Sequence, residues 1–134
     1  MSNRPIDRIV AEFIEFLETG SARPTLFTRD AFCDFTSPRW RMQAQGPDAI
    51  VALRRRGHPS PGKVLRPRCD LIATGFVIEL EEQWVDGGET WYSREMFRAD
   101  VADGAITQLS VYCTGDWDTQ RRAQHAREVS LLRP

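Results

Sequence analysis

Residues 81–118 read EEQWVDGGETWYSREMFRADVADGAITQLSVYCTGDWD, and this stretch decides the fold. Three long strands are joined by two tight turns and followed by the start of a helix. Asp86-Gly87-Gly88 and Asp103-Gly104 make the turns, because Asp and Gly tolerate the positive φ angles of short hairpins. A meander of this kind is an antiparallel sheet. Upstream, Phe76 to Val85 is its first long strand, and a further strand over about 64–74 precedes a turn at Thr74-Gly75. Pro67 marks the first half of that strand as an edge or an irregularity, since proline cannot donate to a ladder.

The N-terminal half supplies the helices. Ile6, Ile9, Val10, Phe13, Ile14 and Leu17 recur at i, i+3, i+4, i+7, i+8 and i+11, one apolar helical stripe. Pro5 suits the first turn and Gly20 the position past the end, so a helix is expected over about 5–19. AFCDFTS, 31–37, reads as a short strand ended by Pro38. Residues 38–45 are extended or irregular and carry Trp40 between Arg39 and Arg41. Gly46-Pro47-Asp48 opens a second helix, closed by Gly57, and HPSPG at 58–62 is a loop. A polar helix over about 117–128 follows, capped by Asp116 or Asp118. Helices early and antiparallel strands late define an α+β fold, one domain over 1–134, with helices covering one face of a curved sheet.

Composition removes several function classes. The chain is 41% hydrophobic and 28% charged, which is globular. Its net charge of −1 gives no electrostatic case for nucleic acid or an anionic membrane. No apolar run approaches the roughly 20 residues of a membrane span, and charges fill the N-terminus where a signal peptide needs an apolar stretch. A cytoplasmic location is expected. Cys33, Cys69 and Cys113 fit no zinc spacing, and free, mostly buried thiols are the expected state. No phosphate loop, dinucleotide fingerprint or metal-ligand cluster is present, so the expected chemistry uses no cofactor and no metal.

Strand alternation says which side chains share a face. Phe76, Ile78, Leu80 and Trp84 share a parity, and Glu82 lies among them. Trp91, Phe97, Ala99 and Val101 share another, with Ser93 and Glu95 among them. A carboxylate facing an apolar cavity has its charged form disfavoured and can serve as a general acid or base. Glu82 and Glu95 are therefore the leading catalytic candidates. The plainer reading makes each half of a structural ion pair with an arginine. A bulge between Glu81 and Trp84 would also reverse the register. Cys33, Phe35 and Ser37 share one parity of their strand, and Leu109, Val111 and Cys113 share one of theirs. Trp40 and Arg41 could form a pocket rim, and Tyr112 could reach a pocket if the last strand's register turns it inward. His58 and His125 fall in a loop and on a polar helix.

The ETG helix end, the FCDFTSP strand, the GPDAI helix start and the VADGAITQLSVYCTGDWD ending resemble the nuclear transport factor two-like (NTF2-like) superfamily, within it the SnoaL-like, polyketide cyclase-like group. The resemblance covers nearly the whole chain. It implies a cystatin-like cone, a bent antiparallel sheet wrapped around the N-terminal helix with a pocket at the open end. It also implies a homodimer through the outer sheet face, where Tyr92, Arg94, Met96 and Arg98 lie. By the same comparison, the oxyanion-binding tyrosine, general base and second oxyanion acid of ketosteroid isomerase fall at Phe13, Ser37 and Phe97, none of which can do that chemistry. Relative to limonene epoxide hydrolase, Glu82 falls near an aspartate, the late-strand aspartate falls near Thr114 with Asp116 two residues on, and Leu80 stands where an arginine belongs. Scytalone dehydratase needs core histidines.

The leading expectation is a SnoaL-like enzyme for a hydrophobic, oxygenated, polyketide-type metabolite of secondary metabolism. It would act by acid/base cyclisation, isomerisation, dehydration or epoxide opening. Glu82, Glu95 and Asp116 are its catalytic candidates. Phe13, Phe35, Ser37, Trp40, Trp84, Trp91, Phe97 and Tyr112 are its substrate-binding candidates. A non-catalytic ligand-binding protein and, third, a protein-interaction module with a filled cone are the alternatives.

Overall fold

The apolar stripe of the first helix is buried as its spacing requires. The computed structural model describes residues 4–134, and in it α1 spans Ile6–Thr19 with Ile9, Phe13, Phe16 and Leu17 inward. Gly20 ends it in the left-handed region (φ 76°), where its N–H bonds the Phe16 carbonyl at 2.8 Å. Phe13 sits in a nest of rings, its centroid 5.0 Å from Phe97 and 6.0 Å from Phe76 in edge-on arrangements. Full burial of such a ring is worth about 1.5–3 kcal/mol.

Strands β1 (Phe27–Thr36) and β2 (Arg41–Gln45), helix α2 (Pro47–Gly57), strands β3 (Gly62–Ile72), β4 (Gly75–Asp86), β5 (Glu89–Ala102) and β6 (Ala105–Cys113), and helix α3 (Thr119–Glu128) follow. The six strands form one curved sheet in the order β2-β1-β6-β5-β4-β3. Four of the six, β3 to β6, are the meander read from the sequence. Gly87 and Gly88 (φ 60° and 79°) turn β4 into β5, and Asp103 (φ 55°) with Gly104 (φ 77°) turns β5 into β6. Two consecutive positive φ angles match the twist of a tight hairpin. β1 joins the meander by pairing parallel to β6.

The β4–β5 register runs unbroken from Gly75↔Asp100 to Asp86↔Glu89. No bulge reverses it, so Glu82 and Glu95 keep the inward parity of Leu80 and Phe97 and are buried. The irregularity marked by Pro67 is real: β3 is an edge strand, its register shifts between Leu65 and Arg68, and Arg66 has φ 49°. Asp118 caps α3, accepting the Arg121 N–H at 2.8 Å, and α3 buries no residue.

Two expectations, on the start of β1 and on the cysteines, need correction, and the extended reading of residues 38–45 is sharpened. β1 begins at Phe27 rather than 31, because Phe27 pairs with Ile106 and the polar TRD at 28–30 carries the strand across a register shift. Residues 41–45 form an edge strand against β1. Of the cysteines only Cys33 is buried; Cys69 lies exposed on edge strand β3, and Cys113 is half-buried. No described helix is long and apolar enough to cross a membrane.

Candidate functional site

Between the inner face of the sheet and the two long helices lies a cavity of about 640 Å³, a size suited to a small organic ligand. Its wall is mostly apolar. Phe16 and Leu17 come from α1, Ile50 and Leu53 from α2, and Phe97, Leu109 and Val111 from the sheet. Polar groups interrupt it at Ser37, Arg54, His58, Thr114 and Asp116, and the exposed Arg39, Arg56 and Arg121 also border it.

Arg54 is the centre of the polar arrangement. It lies on α2 one turn after Ile50 and next to Leu53, on the stripe that faces the sheet. Its guanidinium grips both oxygens of Glu82, with Nη1 donating at 2.9 Å to Oε2 and Nη2 donating to Oε1, and Nη2 also donates to the Leu17 carbonyl at 2.8 Å. Nη1 lies 3.9 Å from Glu95 Oε2. The other Glu95 oxygen accepts from Ser93 Oγ at 2.7 Å. Burial alone would push both glutamates up. For Glu82 the Arg54 charge outweighs it and holds the carboxylate below its usual range. For Glu95 burial dominates and the Glu82 charge adds to it, so its pKa lies well above the carboxylate range. The two shifts run in opposite directions, which favours a proton on Glu95 beside the ion pair between Arg54 and Glu82. Glu95 Oε2 and Arg54 Nε are buried without a hydrogen-bond partner. A proton on Glu95 removes the cost of a bare charge there.

His58 follows Arg54 by one turn and closes α2, its N–H bonding the Arg54 carbonyl at 2.9 Å. Its ring packs on Trp84 with centroids 4.3 Å apart. Burial, then the Arg54 charge, depress its pKa to about 4, leaving it neutral at pH 7. Asp116 reaches the wall from the segment after β6. That segment is pinned to β5 by the paired Tyr92 and Trp117 backbones (2.9 and 2.7 Å) and by Thr114 N–H to the Arg94 carbonyl at 3.0 Å. Asp116 is open to solvent through the cavity, yet its apolar surroundings and then the Glu82 charge raise its pKa to about 6, against the opposing pull of Arg54. Cys113, also on the wall, is pushed up to about 12, chiefly by burial, and is an unreactive thiol at neutral pH.

The cavity brings together Phe35, Ser37, Trp40, Phe97 and Asp116 of the residues singled out in the sequence. Glu82 and Glu95 are not on the wall; they stand behind the Arg54 guanidinium. Phe13 belongs to the core, turned toward Phe16, Phe76 and Phe97. Trp84 backs His58. Trp91 opposes Trp84 across β4 and β5, its Nε1 donating to the Asp86 carbonyl at 3.2 Å. Tyr112 is 59% exposed on the outer face opposite Met96, because Val111 and Cys113 take the inward positions of β6. Trp40 stands at the rim, 66% exposed, in a turn closed by Ser37 N–H to the Trp40 carbonyl at 2.9 Å. Arg54 and His58 were missed by sequence reasoning. The RRR run at 54–56 looks solvated, and the one signal was that Arg54 continues the Ile50–Leu53 stripe.

His58, Glu82 and Glu95 each offer a ligand atom within 4.8 Å of one another, the one such grouping among the described residues. The Arg54 guanidinium already occupies Glu82, so a cation there must displace it; the donor set fits an ion pair better than a metal.

No family model and no curated protein matches the chain. Solved structures match it closely in fold. An NTF2-like protein from Anabaena variabilis superposes with a TM-score of 0.68 at 16% identity, over 82% of this chain and 87% of that one. A candidate polyketide cyclase from Xanthomonas campestris gives 0.63 at 19%, over 80% and 88%. An epoxide hydrolase of the limonene type from M. tuberculosis gives 0.60 at 16%, over 81% of each chain. The fold is therefore the NTF2-like cone, and its neighbours include enzymes of several chemistries. At these identities the likeness carries the fold, and the function must come from the site.

Proposed function

We propose that the chain is a small-molecule enzyme of the SnoaL-like kind, doing acid/base chemistry without a cofactor on a hydrophobic, oxygenated substrate. The observation that supports this reading is that Asp116, Arg54 and His58 share the wall of a mostly apolar cavity. Asp116, with its pKa near 6, takes or returns the proton. Arg54, held by Glu82, presents a fixed positive charge to a substrate oxygen on which negative charge develops. Neutral His58 orients the substrate, and protonated Glu95 keeps the cluster behind Arg54 from carrying a second negative charge. Glu82 and Glu95 thus become positioning residues, and the proton transfer moves to Asp116.

The test is the base-promoted ring opening of nitrobenzisoxazole, a neutral aromatic probe for a carboxylate base in an apolar pocket. The expected result is a kcat/KM that rises through pH 6 and is lost in Asp116→Asn. Activity indistinguishable from that of Asp116→Asn at every pH sinks the catalytic reading and leaves a ligand-binding protein. That alternative draws support from Phe13, Ser37 and Phe97 standing where an isomerase would carry its proton-transfer groups.

A homodimer through the outer sheet face belongs to the same proposal. Met96 and Tyr112 are exposed and directly paired there. Sedimentation of Met96→Lys against the unaltered protein tests it: a mass that stays dimeric in both, or monomeric in both, removes that face from consideration.

A further inference from the structure

The charges on the cavity wall are unevenly divided. Arg54 is matched by Glu82. That leaves Arg39, Arg56 and Arg121, all exposed, against the single carboxylate of Asp116. The protein as a whole carries a net charge of −1, so the excess of positive charge at this opening is local. Among the described residues none of these three guanidiniums forms an ion pair or donates a hydrogen bond. Asp118 lies close in sequence to Arg121, but its carboxylate accepts the Arg121 backbone N–H at the start of α3. Arg121 is instead stacked over Trp117, 5.4 Å from the ring centroid. The three arginines come from the β1–β2 turn, the end of α2 and the first turn of α3, three separate elements that converge on one opening. Below them the wall is mostly aliphatic and aromatic down to Arg54 and His58.

From this we infer that the natural ligand is an amphipathic organic anion. Its apolar body fills the cavity, and a carboxylate, or another small anionic group, stays at the mouth among Arg39, Arg56 and Arg121. The inference rests on the cavity being the ligand site, as proposed above, and it narrows the substrate class. A guanidinium presents paired donors to a carboxylate, and three exposed ones around an opening can accept an anion from more than one side. The partly exposed setting makes the attraction salt-dependent. It also draws an anionic ligand toward the opening before contact.

The experiment compares three probes of one chain length in the unaltered protein by calorimetry: decanoate, decanol and decyltrimethylammonium. Decanoate is expected to bind about tenfold more tightly than decanol, and decyltrimethylammonium most weakly. Raising the salt to about 1 M, where the screening length is roughly 3 Å, should bring decanoate toward decanol. The combined variant Arg39→Gln, Arg56→Gln, Arg121→Gln should bind decanol as before and lose the preference for decanoate. Because all three side chains are exposed, the fold should persist, and the salt series gives the same answer without any variant. Equal or tighter binding of decanol, a preference undiminished by both salt and the substitutions, or no binding of any probe overturns the inference. Preference for decanoate in a protein that cannot open nitrobenzisoxazole retires the catalytic proposal alone. Ring opening without the preference retires this inference alone.

Discussion

Arg54 and Glu82 meet through two hydrogen bonds although one stands on a helix and the other on a strand 28 positions later. The pair ties α2 to β4, and its charges act on the pKa of Glu95, His58 and Asp116. Removing one partner strands the other in an apolar setting, which costs more than the pair contributes.

Arg54→Met should therefore destabilise the fold by about 3–5 kcal/mol, read from urea unfolding at neutral pH. The double variant Arg54→Met, Glu82→Leu should recover most of that loss, since neither charge is then left bare. A single variant within about 0.5 kcal/mol of the parent, the range of ordinary surface changes, would show that the pair is solvated in solution.

Glu82→Gln and Glu95→Gln should behave differently despite their shared parity. Glu82→Gln leaves Arg54 uncompensated and should cost about 3 kcal/mol or more. Glu95→Gln replaces a protonated acid by a neutral group of the same shape and should cost under about 1 kcal/mol at pH 7. The pH dependence gives a second reading. A raised folded pKa means that the unfolded chain, above about pH 4.3, has released a proton that the native state keeps. The Glu95 contribution to stability thus declines as pH rises above that point. Glu95→Gln removes the decline, so its stability relative to the parent should climb with pH. Equal costs for the two variants would mean that the proton is not held on Glu95.

His58 works in the opposite sense. Its folded pKa of about 4 lies below the roughly 6.5 of an unfolded histidine. Between those values the unfolded chain binds the extra proton, so His58 costs stability progressively as pH falls from about 6.5 to 4. Asp116, raised to about 6, favours the native state over the lower part of the same interval. In His58→Gln the acid loss should be shallower than in the parent, and in Asp116→Asn steeper. Unfolding midpoints at pH 7, 5.5 and about 4 compare the three proteins. Parallel curves would remove both groups from the titrating set.

Gly75 opens β4 where a side chain cannot fit. A Cβ built there would lie 2.0 Å from the Ala99 carbonyl oxygen on the paired strand. Gly75→Ala should force β4 and β5 apart and cost about 3 kcal/mol or more, toward the upper end of overpacking effects. Gly87→Ala has open space around it and should suffer only the milder penalty of its positive φ. Thermal unfolding of the two variants compares the effects, and a smaller loss at Gly75 would contradict the close approach.

Much of this architecture was legible because period-two alternation is strict wherever one face of a sheet is buried. The parities of Phe76–Trp84 and Trp91–Val101 place Glu82 and Glu95 inward without any knowledge of the sheet's partners. The ion pair that engages Glu82 was foreseeable in kind and not in partner. Arg54 sits in a run of three arginines, and local charge outweighs its place on the Ile50–Leu53 stripe in any reading of sequence alone. His58 was hidden for a related reason: its neighbours Pro59, Ser60 and Pro61 describe a loop, and nothing local says that Trp84, 26 residues on, will cover its ring. The role of Asp116 depends on backbone bonds between Tyr92 and Trp117 that no pattern announces.

The parallel pairing of β1 with β6 bears on how the chain is made. β6 follows the other five strands in the chain, yet it lies between β1 and β5 and, among the described residues, is the one strand that joins the two parts of the sheet. Until residue 105 and those after it emerge, the β1–β2 hairpin and the β3–β4–β5 meander have no hydrogen bond between them, and each shows an open edge. Such edges are templates for mispairing, and contacts of this sequence separation form slowly. Completion of the sheet thus waits on the sixth strand in chain order, and chaperone demand should peak just before that strand emerges.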